Sequence, residues 1–243
     1  MDRASAVVLT LAFVLVGVAV TGGLSRARTP VEHRVVDRDV PLAGAPRLLV
    51  RSRALDVSVV SAPAAPGAPA AHLHVDLRGV NLAALETRVG RDGSSEVIDL
   101  REHVPGTATS WLSSGKATLT LRAPVDVTVS TSSGDVGAQQ PPGALAVHTT
   151  SGDVTIDDAQ ADIDAGTTSG DVRIGLADGF HGKAISVATA SGDVSLRVPN
   201  GFGAAVHTHT VSGSVAEDAH VVDASQPVLQ LSTTSGDIHI SAR

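Results

Sequence analysis

"TTSGDV" occupies residues 149–154 and again 167–172, with near copies "TASGDV" at 189–194 and "TTSGDI" at 233–238. A Ser-Gly-Asp triplet can belong to an active site, a metal loop or a turn, and its repetition separates these readings. The glycines of the six copies are Gly134, Gly152, Gly170, Gly192, Gly213 and Gly236, at intervals of 18, 18, 22, 21 and 23 residues. A near-constant period of about 20 residues marks a repeat architecture. Seven and five positions before each glycine stand Val127/Val129, Leu145/Val147, Ile163/Ala165, Ile185/Val187, Val206/Thr208 and Leu229/Leu231. Two and four positions after it stand Val136/Ala138, Val154/Ile156, Val172/Ile174, Val194/Leu196, Val215/Glu217 and Ile238/Ile240. Apolar residues at every second position predict strands with one buried face. Each repeat is therefore a strand, a Ser-Gly corner and a second strand.

The hydroxyls between the strands carry the stacking argument. Thr131, Thr149, Thr167, Thr189, Thr210 and Thr233 stand three before the glycines, and Ser133, Ser151, Ser169, Ser191, Ser212 and Ser235 one before. Period-two counting continues both sets along the inward face. A buried hydroxyl without a partner costs roughly 1–3 kcal/mol, so identical hydroxyls tolerate burial when they stack in columns at a strand spacing of about 4.8 Å. That predicts an all-β fold, a single-stranded β-solenoid or β-helix-like stack of coils of about 20 residues, with glycine at a corner of positive φ.

Asp135, Asp153, Asp171, Asp193 and Asp237 follow the glycines, with Ser214 in the fifth copy. Neighbouring charges about 4.8 Å apart repel by roughly 0.9 kcal/mol in water. Backbone N–H groups of each aspartate's own corner are the expected compensation. Calcium shared along the column is the other account, but the spacing does not match the Gly-rich nonapeptide calcium repeat and no further oxygen ligands accompany it. No metal is assigned.

Upstream, "LLVRSRALDVSVV" (48–60) keeps the frame with Leu55 in place of glycine, a decayed repeat. "SAPAAPGAPAA" (61–71) is an inserted loop and "HLHVDL" (72–77) a strand. "ALETRVGRDGSSEVIDLRE" (84–102) predicts a hairpin about Asp92-Gly93, with a helix over 82–89 as the alternative. "HVPGTATSWLSSG" (103–115) predicts a loop, and "KATLTLRAP" (116–124) a strand leading into the array. Residues 41–243 thus form one elongated domain, most regular over 124–243, with 26–40 as a tether.

Ala4–Ser25 is an uncharged run of 22 residues bounded by Arg3 and by Arg26 and Arg28. As a helix it reaches roughly 33 Å, enough for a hydrocarbon core of about 30 Å. It is apolar all round rather than striped, longer than a signal-peptide core and without a clear A-x-A site. Residues 1–25 are therefore expected to be a transmembrane or signal-anchor helix, with secretion after cleavage as the alternative. Arg26, Arg28 and Arg34 after the span would by count hold the domain inside. Long domains translocate largely regardless of such charges, so the expectation is a single-pass cell-membrane protein with its C-terminal domain extracytoplasmic.

The net charge of −7 argues against a nucleic-acid partner. The chain contains no cysteine, so neither a disulfide framework nor a thiolate zinc site exists. His72/His74 and His207/His209 each place two rings on one strand face, but neither pair has an identifiable third ligand. Catalysis by Ser-Gly-Asp would need a base within reach of one asymmetric serine, and no histidine keeps a constant offset from the six. A carbohydrate-active β-helix using Asp157/Asp158 or Asp162/Asp164 would need a cleft, and usually aromatic platforms. Phe13, Phe180, Phe202 and Trp111 are the whole aromatic complement. No catalytic residue and no cofactor are assigned.

The L-x-V-x-(S/T) pattern before the corner and S-G-D-V-x-(I/L) after it resemble the bacterial β-strand-repeat family named "putative adhesin". This is a family of domains of unknown function with members beside envelope-stress regulators. The resemblance covers about 45–243 and departs from the pattern at Leu55 and in "VSGSVAE" (211–217), where Glu217 takes an inward apolar position. It implies the repeat fold and no catalytic residue. The expected function is a non-enzymatic envelope interaction or structural module meeting an envelope protein or glycan and held to the membrane by its N-terminal helix. The alternative is an accessory part of an envelope-stress system with a membrane partner.

Overall fold

The computed structural model describes residues 31–42, 44–80, 82, 85–102, 111–218 and 222–243. The expected anchor helix at 1–25 lies outside the described residues. Within them, each regular repeat supplies one strand to each of two sheets. Strands β8 (Asp126–Ser130), β10 (Leu145–His148), β12 (Ile163–Ser169), β14 (Ala184–Ser191), β16 (Gly203–Ser212) and β18 (Val222–Ser235) lie in one sheet. Their partners after each corner, β9 (Val136–Gln139), β11 (Val154–Ala159), β13 (Val172–Leu176), β15 (Val194–Val198), β17 (Val215–Glu217) and β19 (Ile238–Ala242), lie in the other. Pairing is parallel and holds the frame, with Leu145 beside Val127 and Ile163, and Val154 beside Val136 and Val172. The alternating apolar positions of both sheets meet in one core.

Two facing sheets replace the expected single-stranded coil, because the corner turns the chain from one ladder into the other. The decayed repeat forms β2 (Arg47–Ser52) and β3 (Asp56–Ser61), which pair in parallel with β8 and β9. Beyond them the array becomes partly antiparallel. β1 (Glu32–Val40), β4 (Ala71–Val80) and β7 (Trp111–Leu121) extend one sheet, and the hairpin β5 (Leu85–Asp92)–β6 (Ser95–Glu102) ends the other.

Several sequence boundaries move. More than half of the expected tether is β1, held by antiparallel pairing to β4, so the domain begins before residue 41. Trp111–Gly115, read as loop, belongs to β7 because β4 offers it a partner as far as Val80. The helix alternative fails since Leu85–Val89 is paired to β6, and β7 enters the array beside β3 rather than at β8 or β9.

Stacking order also departs from chain order. The sheets run β14–β18–β16 and β15–β19–β17, so the sixth coil sits between the fourth and the fifth. The fifth coil is the end of the stack. Val206 and Thr208 are half-buried, while Val215, at 42% exposure, and Glu217 are exposed. The departures "VSGSVAE" and Glu217 thus mark a terminal coil with one solvent side rather than a loosened interior one.

Candidate functional site

The repeated corner is a joint between coils, and every part of the triplet serves it. All six glycines have φ between 139° and 153°, a region that side chains disfavour. Each also lies against the coil below: a Cβ on Gly170 would overlap the Gly152 carbonyl oxygen, with the carbonyl carbon only 2.7 Å away. Gly170 N–H donates upward to Ser191 O at 3.0 Å, as Gly152 N–H does to Ser169 O at 3.1 Å. Thr167, Thr189, Thr233 and Thr210 donate their hydroxyls to the glycine carbonyls of the neighbouring coil at 3.1–3.3 Å. Thr131 and Thr149 reach serine carbonyls of their own corners instead. Five of the six threonines are buried, and terminal Thr210 is half-buried.

The serine columns are exposed, against the expectation from period-two counting. The chain is already turning at Ser-Gly, so alternation ends one residue early. Serine contributes its backbone, as in the Ser133–Ser151–Ser169 bridges.

The aspartates form a directional ladder. Asp56 Oδ1 accepts Asp135 N–H, Asp135 accepts Asp153, Asp153 accepts Asp171, Asp171 accepts Asp193 and Asp193 accepts Asp237, all at 2.9–3.0 Å. Asp237 accepts both the N–H and the hydroxyl of Ser214. Each carboxylate thus serves the next coil, not its own corner. Ser214 replaces aspartate where no further described coil needs an acceptor. Asp56 is a rung the sequence reading missed, although extending the aspartate frame past Leu55 would have found it. Leu55, with its side chain buried, takes its own cap from Ser52 Oγ.

Replacing Asp171 by Ala orphans Asp193 N–H and removes the nearer of the two carboxylate partners of Arg173, 2.7 Å away. The expected loss is about 1–2 kcal/mol, read as a fall of a few degrees in Tm. Chelator should leave the Tm of the parent, prepared without added transition metal, unchanged. A fall with EDTA that calcium restores would show a cation in the ladder.

Most of the other sequence candidates have structural partners. Asp158 pairs with Arg243, and Asp162 accepts the N–H groups of Lys183 and Ala184. Asp126 does the same for Ala144, a second capping position that sequence spacing did not reveal. His72 and His74 fasten β4 to β1 through Asp39 and Asp37 at 2.8 and 2.7 Å, and His33 bonds Asp76 at 2.9 Å. These rings face carboxylates across two strands, and the described residues contain no group of three or more ligands arranged for a metal. His207 and His209 are exposed on β16 and bring no third ligand together. The grooves of about 280 and 370 Å³ are open surface features, one beside Arg51, Arg53 and Ser130, the other beside His74, Asp76 and Lys116.

Two carboxyls titrate below their ordinary value near 3.8: Asp37, through the hydrogen bond from His74, and Asp237, through the backbone N–H of Ser214. A depressed folded-state value stabilises the fold above the unfolded pKa and is lost as pH falls through the folded one. Tm should therefore fall as pH drops below about 4, and Asp37→Asn should flatten part of that slope.

The fold has a solved counterpart. A "putative cell adhesion protein" from Clostridium sporogenes superposes with a TM-score of 0.53 at 11% identity, covering 87% of this chain and 100% of that one. A "putative adhesin" from Bacteroides fragilis gives 0.46 at 15% identity, covering 87% and 97%. No curated protein matches the chain. The sequence pattern of Toastrack DUF4097 matches residues 106–241, more than half of the chain and all the regular coils, and the chain belongs to that family.

Proposed function

We propose that this chain is a non-enzymatic adhesin-type module of the bacterial cell envelope, tethered to the membrane by Ala4–Ser25 and displayed outside it. The observation that carries the reading is the use of the repeated triplet. The serine backbone, the glycine and the aspartate carboxylate are engaged in joining coils, so the triplet is a repeated joint and not a nucleophile–base constellation. Catalysis needs such a constellation, whereas binding along a rod does not. The outer faces offer long rows of small, mostly polar side chains, such as Thr128, Asp164 and Ser186 with Ala146 between them on one sheet. Rows of this kind suit extended envelope ligands such as glycans. The name of the Clostridium sporogenes counterpart, a putative cell adhesion protein, agrees with the proposal.

Protease shaving of intact cells tests the display: the domain should be cleaved from whole cells and the N-terminal segment should stay in the membrane fraction. A protected domain in intact cells would overturn the topology. Pull-down on purified peptidoglycan and glycans tests the binding class. Proximity labelling that returns one membrane protein, without glycan binding, would instead support an envelope-stress partner.

A further inference from the structure

Four strands form the edges of the two sheets, and only one lacks protection. An unpaired edge is a template for another strand, and proteins blunt such edges with charges, prolines or inward-facing ions. Edge strand β1 carries Glu32, Arg34, Asp37, Arg38 and Asp39, and edge strand β5 carries Glu86, Arg88, Arg91 and Asp92. At the far end the short β17 is blunted by Glu217, whereas β16 runs ten residues, "GAAVHTHTVS", with no charged residue and no proline. Its outward row is Ala205, His207, His209 and Val211. Val211 is 68% exposed, and neither histidine makes a hydrogen bond or ion pair among the described residues.

The segment "AVHTHTV" (205–211) is nearly the same read in either direction about Thr208. In an antiparallel pair of β16 strands from two copies, with Thr208 opposite Thr208, His207 of each chain faces His209 of the other. Ala205 then faces Val211, which covers the exposed valine, and Val206 faces Thr210. Threonine and β-branched cross-strand pairs of this kind are favourable. A two-fold axis through Thr208 keeps all four imidazoles on the outer face. Rings two residues apart on one strand are separated by about 6.6 Å along it, and cross-strand Cβ atoms by about 5 Å. Four neutral imidazoles in that compass form a ligand set for zinc or a similar divalent transition metal. One chain supplies only half of it.

We propose that β16 is a homodimerisation edge closed by a divalent transition metal held by His207 and His209 of two copies. The test is light scattering and zinc titration on the purified full-length chain in detergent, with zinc sulfate or EDTA. Zinc should double the protein mass at one metal per two chains, and EDTA should reverse it. His207→Gln with His209→Gln should remain single at every zinc concentration, its fold checked by circular dichroism. Val211→Lys keeps both histidines but sets an ammonium group beside each end of the cluster, and it should lose the mass doubling. Failure of zinc to double the parent's mass would overturn the proposal. So would doubling that survives the double glutamine variant, or tight binding at one zinc per chain by Val211→Lys.

Discussion

Gly170→Val is expected to abolish folding, with no cooperative melt by circular dichroism. The valine Cβ would have to occupy the place of the Gly152 carbonyl oxygen, which belongs to the rigid backbone of the coil below. That carbonyl is the acceptor for the Thr167 hydroxyl, so moving it also orphans a buried group at roughly 1–3 kcal/mol. The backbone strain adds to this, since φ at Gly170 is +147° and a β-branched residue is a genuine outlier there. Overlap, strain and orphaned hydroxyl act together against a total stability of about 5–15 kcal/mol. Gly137→Val is the control. Gly137 lies on β9 with a negative φ and no atom within 4 Å of an added Cβ, so valine should be tolerated there and leave Tm nearly unchanged. Loss of folding in both variants would show that glycine acts through chain flexibility and not through the corner.

The repeat was legible because its cause is local and periodic. Alternation of Val154 and Ile156, or of Ile185 and Val187, follows from a strand with one buried face, and all four are buried. The threonine column was legible for the same reason, since a hydroxyl kept at one inward frame position needs an acceptor in every coil. Serine was misread because the period ends where the chain turns, and a count of two carries no information about where the turn begins. The aspartate ladder was half legible. Its regular spacing announced a column, but the direction of each bond depends on which coil lies above, and that is a tertiary fact. The order of the last two coils could have been inferred from chemistry already visible. Thr208 and Glu217 are each the more polar choice at their frame position, as an end coil requires, and Ser214 gives up the carboxylate that only a further coil would need. Chain order alone suggested the opposite. Antiparallel β1 and the true start of β7 were not legible, because both are fixed by pairing with β4 across long sequence separations.

That stacking order gives a second large effect, in the opposite sense from the one chain order would suggest. Ile240→Glu should unfold the domain although only three residues of the sequence follow it. Ile240 is fully buried on β19, between Leu196 of the fourth coil and Glu217 of the fifth. A carboxylate there forfeits the isoleucine's burial, about 1.5–3 kcal/mol. It also carries an unpaired charge into the core at several kcal/mol more. Together these approach the whole stability of a domain, so the cooperative melt should disappear. Glu217, one rung outward in the same column, already carries that side chain at no such cost because one side of its coil is solvent. Glu217→Ile should therefore leave the monomer's Tm within about 1–2 °C of the parent, as surface substitutions do, while removing the charge that blunts β17. A stack closed by the last coil of the chain would give the reverse pair of results, with Ile240→Glu tolerated and Glu217→Ile markedly stabilising. Melting the two single variants beside the parent therefore decides which coil is the end.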